Sequence, residues 1–422
     1  MHSTHPIRNS TEEKMVWFGV TLTYPFFSFG GLYIMGSVIG WMIFIVVLLR
    51  WYVNGKDKNA VIPTIVWIWV IGGLFMLLAL IIAHSNWDLG LAKTIKSSIG
   101  WAKGWALMPL FLFIGAFVDI KPQLVVRAIC IVSCHSLIFA AISIVLYMAG
   151  MPGDLFISPL QVIGGPGESF FTVSLFGLNP ETGAGRWRFF TPWAPAAGFM
   201  ACIFLIFASQ EKDSFWRNVG IIGSFTMCLL SQSRAGWVIY IALTPLCFLS
   251  KYFKNPIWLI IFGIAIPAIL LLGEPLFHSI NNSYEDIKAS RPDSTRVRNT
   301  LEVLALQRWE AEAPIWGHGV VEKGPKIVEG MPIGSHHSWY GLLFVKGIVG
   351  LLALAIPLTF TCLYLFWNSL KSQICYSAAL MAVVFICYSF FENLEILSFI
   401  YWPALLWIGI ALNPLKSGEK YV

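Results

Sequence analysis

The 422-residue chain is 57% hydrophobic and only 12% charged, with a mean hydropathy of +0.72. Soluble domains carry about twice that share of charge, so a water-soluble enzyme is excluded and a polytopic membrane protein is indicated. The formal net charge of +6 fits Lys and Arg on membrane flanks and needs no nucleic-acid partner.

The N-terminal stretch MHSTHPIRNSTEEK is polar and lacks the short apolar core and cleavage site of a signal peptide, so the first span is expected to stay in the mature chain. Apolar runs of about 18 to 25 residues can cross a bilayer as helices. On that scale spans are expected near 15–30, 32–53, 61–83, 98–118, 124–149, 192–209, 215–233, 235–251, 255–273, 339–367, 373–391 and 395–413, twelve in all. The reading is an all-α polytopic membrane protein, one membrane domain over 1–422 with no internal repeat. Its eight cysteines lie in or beside the apolar runs without a CxxC pair, as small core hydrophobes do.

Lys and Arg resist translocation when loops are short. Arg50, Lys56, Lys58, Lys121, Arg127, Lys212, Arg217, Lys251, Lys254 and Lys371 fall on alternate connections, which are therefore expected to be cytoplasmic, as are both termini. Two long loops, 150–191 and 274–338, are then expected outside, the second between the ninth and tenth spans. The first carries TGAGRWRFFTPW, with Arg186 and Arg188 just ahead of the sixth span. In the second, Val297, Leu301, Leu304, Ala305 and Trp309 recur at helical spacing, which predicts an amphipathic helix over 294–313 with Ser294 or Thr295 as N-cap. Pro314 ends it, and a GHG turn around His318 follows.

Several residues carry candidate chemistry. Arg234 lies in SQSRAGW between two apolar runs, where an arginine is either a headgroup anchor or an anion ligand. Arg186, Arg188, Arg234, Arg291, Arg296, Arg298 and Arg308 make the outer basic set almost purely arginine. Guanidinium pairs bidentately with phosphate oxygens and stays charged, which suits a lipid diphosphate. Arg308, with Glu302, Glu310 and Glu312 around it, is expected in surface salt bridges. His336 and His337, in GSHHSWYGLLFVKGIVG, stand where the second loop meets an apolar run; imidazole exchanges protons near neutral pH, although a membrane-edge histidine also serves as a plain polar anchor. There is no DxD, HExxH, Walker A or GxGxxG between strand and helix, so a nucleotide donor, an essential metal or another cofactor is not expected.

With these residues the chain resembles the bacterial O-antigen ligases, within the wider group that includes O-antigen polymerases. The likeness rests on SQSRAGW, on the arginine-rich helix ending in APIWGHGV, and on SHHSWYGLLFVKGIVG. Many relatives have Asn after the His and an acidic residue near the position of Lys346; here Ser338 follows His337. The resemblance implies a membrane glycosyltransferase of the GT-C-like kind in the bacterial inner membrane. It would transfer a glycan from a polyprenyl-diphosphate carrier to the lipid A core at the periplasmic face, without metal and with inversion. His337 would act as base on the acceptor hydroxyl, with His336 its less favoured twin. Arg234 and Arg298, with Arg186 or Arg188, would hold the departing diphosphate, and Arg296 and His318 are further candidates. The alternatives are a polymerase, which uses a second lipid-linked glycan as acceptor, and a lipid or glycan transporter, which would need mid-membrane polar residues and paired halves.

Overall fold

The computed structural model describes residues 10–54, 62–179, 183–249, 292–328, 330–334 and 337–417. The expected ninth span, 255–273, and His336 lie outside these residues, as do Arg291, Lys251 and Lys254. The chain is a helical membrane protein: among the described residues six helical segments, with Leu91–Phe117 taken as one, are long and apolar enough to cross a bilayer, and three shorter apolar helices accompany them.

The helices are α1 (Thr11–Thr21), α2 (Thr23–Ser28), α3 (Leu32–Asn54), α4 (Thr64–Asn86), α5 (Leu91–Lys103), α6 (Leu107–Phe117), α7 (Pro122–Met148), α8 (Ala194–Ser209), α9 (Ser214–Ser231) and α10 (Arg234–Leu249). After the undescribed stretch come α11 (Pro292–Glu312), α12 (Ser338–Ser369), α13 (Gln373–Ser389), α14 (Leu394–Leu412) and the short α15 (Pro414–Ser417). Most expected spans coincide with single helices, and two do not. The run 15–30 is split at Leu22 into α1 and α2, and 98–118 is split at Gly104 into α5, which buries no residue, and α6, which is buried almost throughout. Window hydropathy averages across such breaks and cannot detect them.

The core is built around α14, where every residue from Leu397 to Leu412 is buried. Lipid offers no hydrophobic drive for helix association, so close approach of small residues does the work. A Cβ on Gly115 of α6 would stand 2.0 Å from the Leu406 carbonyl oxygen, and one on Gly409 2.3 Å from that of Leu112. On α4, Gly72 approaches the Ala353 carbonyl of α12 in the same manner.

The long connections gather at one end of the bundle. There β1 (Asp154–Ile157) pairs antiparallel with β2 (Thr172–Ser174), β3 (Gly177–Leu178) with β4 (Gly185–Arg186), and β5 (Glu322–Lys323) with β6 (Pro332–Ile333). At the other end, Arg127 makes two bonds to Glu211, of 2.8 and 3.0 Å, and Arg50 meets the buried Glu12 at 2.9 Å. The expected outer helix begins two residues earlier than its predicted N-cap. Pro292 opens it, its fixed φ being suited to a first helical position, which leaves Ser294 and Thr295 inside the first turn.

Candidate active site at the loop end

Three sequence features converge at this end. In SQSRAGW, α9 closes at Ser231, Gln232 turns the chain through a left-handed conformation (φ +49°), and Ser233 caps α10 by accepting the Gly236 N–H at 3.2 Å. Arg234 is the first residue of α10 and is exposed. A cation is electrostatically misplaced at a helix N-terminus, where the dipole already favours anions; a bound anion would satisfy both.

Arg186 on β4 reaches the same turn. Its Nε donates to the Ser231 carbonyl at 2.9 Å and Nη2 to that of Gln232 at 3.3 Å, while the Gln232 amide returns a bond to Gly185 at 3.0 Å. Arg188 is committed elsewhere, to Ser174, Asp154 and the Pro192 carbonyl. Of the two loop arginines, Arg186 is the one beside Arg234. Arg296 and Arg298 fall on the first two turns of α11, and their side chains are not among those described.

His337 is the N-cap of α12. Its Nδ1 accepts the backbone N–H groups of Trp339 (3.1 Å) and Tyr340 (3.3 Å), and its ring stacks on Tyr340 with centroids 4.5 Å apart. Burial pushes its pKa down to about 4, so it is neutral near pH 7. With Nδ1 occupied by two donors, these hydrogen bonds assign the proton of the neutral ring to Nε2. In this arrangement the ring therefore offers a donor, and taking a proton at Nδ1 would mean giving up the cap.

The ring lines a cleft of about 30 Å³ together with Leu301 and Glu302 of α11, Tyr340, Phe390 and Phe391. Val297, Leu301 and Ala305 bury one stripe of α11 against Val328, Ile333 and Phe344, and Glu302, next to that stripe, also lines the cleft. Arg308 takes other acids, Glu312 four residues on and Glu322 at 2.6 Å. Sequence reasoning grouped Glu302 with these surface partners; nothing local distinguished it.

Glu392 links the two halves of the site. Its carboxylate accepts the Trp193 indole N–H at 2.8 Å at the start of α8, and its backbone carbonyl accepts the Ser338 hydroxyl at 2.6 Å. That hydroxyl in turn accepts the Leu394 N–H at 3.0 Å. α8 packs on the SQSR turn, where a Cβ on Gly198 would stand 2.7 Å from the Ser233 side chain.

His318 is structural. Its Nδ1 faces the Phe344 carbonyl at 3.0 Å and Nε2 faces Glu312 at 2.8 Å, with the ring between Trp87 and Phe344. It anchors the segment after α11 into a break in α12 at Gly347 (φ +63°). The freed carbonyls of Phe344 and Val345 accept the N–H groups of His318 and Gly319, and the N–H groups of Ile348 and Val349 donate to Pro314 and Ile315. Broken helices at membrane depth survive only when such partners exist. Among the described residues, no group of three or more metal-ligating side chains is present.

Residues 219–355 match the family model described as O-antigen ligase. That stretch takes in the SQSR turn, α11, the inserted loop and His337, all the main elements of the site except Arg186, Trp193 and Glu392. No curated protein matches the chain. Over residues 219–355 the chain is thus similar to the O-antigen ligase family.

Proposed function

We propose that the protein is an O-antigen ligase that moves a glycan from a polyprenyl-diphosphate carrier to the lipid A core. The observation that carries this reading is the pairing of an arginine turn, Arg186 with Arg234, and an imidazole-lined cleft through the Trp193–Glu392–Ser338 connection. The donor diphosphate would rest on the arginine turn, with Arg298 as a further ligand, and the acceptor sugar in the cleft beside His337. Fixed guanidinium groups and the α10 N-terminus would stabilise the charge that develops as the diphosphate departs. Neither a nucleotide nor a metal is then required for that charge.

The acceptor hydroxyl attacks the anomeric carbon as the bond to the diphosphate breaks, a single displacement that inverts the centre. His337, through Nε2–H, would orient the acceptor sugar. The positive-inside pattern supports an inner-membrane protein with both termini in the cytoplasm and the loop end at the periplasmic face.

The test is performed in cells that lack their own ligase and carry the lipid-linked glycan. The wild-type gene is expected to restore glycan-bearing lipopolysaccharide, and Arg234→Ala to lose it at equal membrane abundance. Lengthening of the lipid-linked glycan with none on lipid A would replace the ligase reading with the polymerase one.

A further inference from the structure

The displacement leaves a proton to be placed. The acceptor oxygen forms its bond to the anomeric carbon, the electron pair of the breaking bond leaves with the diphosphate, and the hydroxyl hydrogen needs a base. His337 is poorly arranged for this, since Nδ1 holds the α12 cap and Nε2 carries hydrogen in the neutral ring. Two glutamates belong to this end of the fold. Glu392 is only 7% exposed and accepts the Trp193 indole N–H. Glu302 is half-buried and lines the same cleft as His337.

The geometry points to Glu302 as the proton acceptor for the acceptor-sugar hydroxyl, with His337 as the hydrogen-bond donor across the cleft; this inference rests on the ligase reading. Tyr340, Phe390 and Phe391 line the cleft with aromatic surface, the kind that packs against the apolar C–H face of a sugar at its mouth. A carboxylate and an imidazole N–H on one hydroxyl give it an acceptor and a donor together. The proton passes to the Glu302 carboxylate and from there to water once the product leaves. Among the described residues, the other titratable groups lining the cleft are His337 and Tyr340, and the Glu302 variants separate the carboxylate's part of an acid-side fall in rate from the histidine's.

The experiment compares purified full-length wild type, Glu302→Gln and Glu302→Asp on a polyprenyl-diphosphate-linked glycan and lipid A core, with steady-state kinetics across pH. Glu302→Gln is expected to lose about 100-fold or more in kcat, with KM for the lipid A core within about threefold, the range for losing a general base. Its kcat/KM should no longer fall on the acid side, and Glu302→Asp should keep part of the activity with that fall intact. Thermal unfolding of the three proteins separates chemistry from misfolding, and Glu302→Asp decides if the Gln variant is unstable. Glu302→Gln at near wild-type kcat, or an acid-side fall that persists in it, overturns the inference and returns the proton to His337. A wild-type protein that forms no product overturns the ligase reading itself, and the inference with it.

Discussion

A Cβ on Gly347 would lie 2.2 Å from the Ile315 carbonyl oxygen, so the loop that follows α11 is seated directly against the broken turn of α12. Gly347 also has φ +63° with ψ −163°, a region essentially confined to glycine that costs another residue about 1 to 3 kcal/mol even without a clash. Gly347→Ala is therefore expected to destabilise the protein by about 2 kcal/mol or more, adding displacement of the loop to the backbone strain. Thermal unfolding in detergent reads this directly, and an unchanged midpoint would contradict the insertion.

The loop is also held by charge. Arg308, and after it His318, hold the Glu312 carboxyl down from 4.5 to about 2. A depressed carboxylate contributes stability that is present above its unfolded pKa and lost as pH falls through the folded one. The segment around His318 is thus expected to loosen as pH drops from about 4.5 to about 2. Pepsin, which is active in that range, should cut there more readily as pH falls, and Glu312→Gln should be cut readily throughout. Equal cleavage of the two proteins at every pH would remove Glu312 from the anchor.

His337 has two separable tasks. Replacing it with Ala removes the α12 cap and is expected to cost about 1 kcal/mol, whereas Asn is an excellent N-cap and should preserve stability. Both variants should lose turnover. The histidine also sets a pH slope: below about 6.5 the unfolded ring takes a proton that the folded ring, at about 4, refuses. Stability therefore declines as pH falls from about 6.5 to about 4, and His337→Asn should flatten that part of the profile. An Asn variant with wild-type turnover would take His337 out of the site.

At the opposite end of the bundle, Arg127 and Glu211 form a pair whose side chains are 9% and 2% exposed. Removing one partner strands a buried charge, so Arg127→Ala is expected to cost about 3 to 5 kcal/mol. Loss of folded protein from the membrane fraction would register this. The double replacement by apolar residues should recover much of the loss, and failure to recover it would assign the cost to packing.

The membrane class and most helix positions were legible in the sequence, because hydropathy is a local property, and the motifs proposed for the site are local too. SQSRAGW already holds an interruption, and GSHHSWYG already holds a cap followed by an apolar run. The break at Gly347 was not legible: FVKGIVG reads as one unbroken span, and its partners come from Pro314, Ile315, His318 and Gly319, in the preceding loop. Lys346 stood out as a departure from relatives, but its buried electrostatic partner Glu395 is supplied by α14. Arg186 and Arg188 are alike in sequence; only the β3–β4 ribbon, which brings Arg186 to the SQSR turn, tells them apart.

Mass analysis of the product formed by purified protein, a polyprenyl-diphosphate-linked glycan and lipid A core, in chelator, separates ligase from polymerase in one measurement. Glycan is expected on the lipid A core, with release of the polyprenyl diphosphate and loss of both in Arg234→Ala. Glycan found only as longer chains on the polyprenyl carrier, or transfer that Arg234→Ala leaves at the wild-type rate, would contradict this expectation.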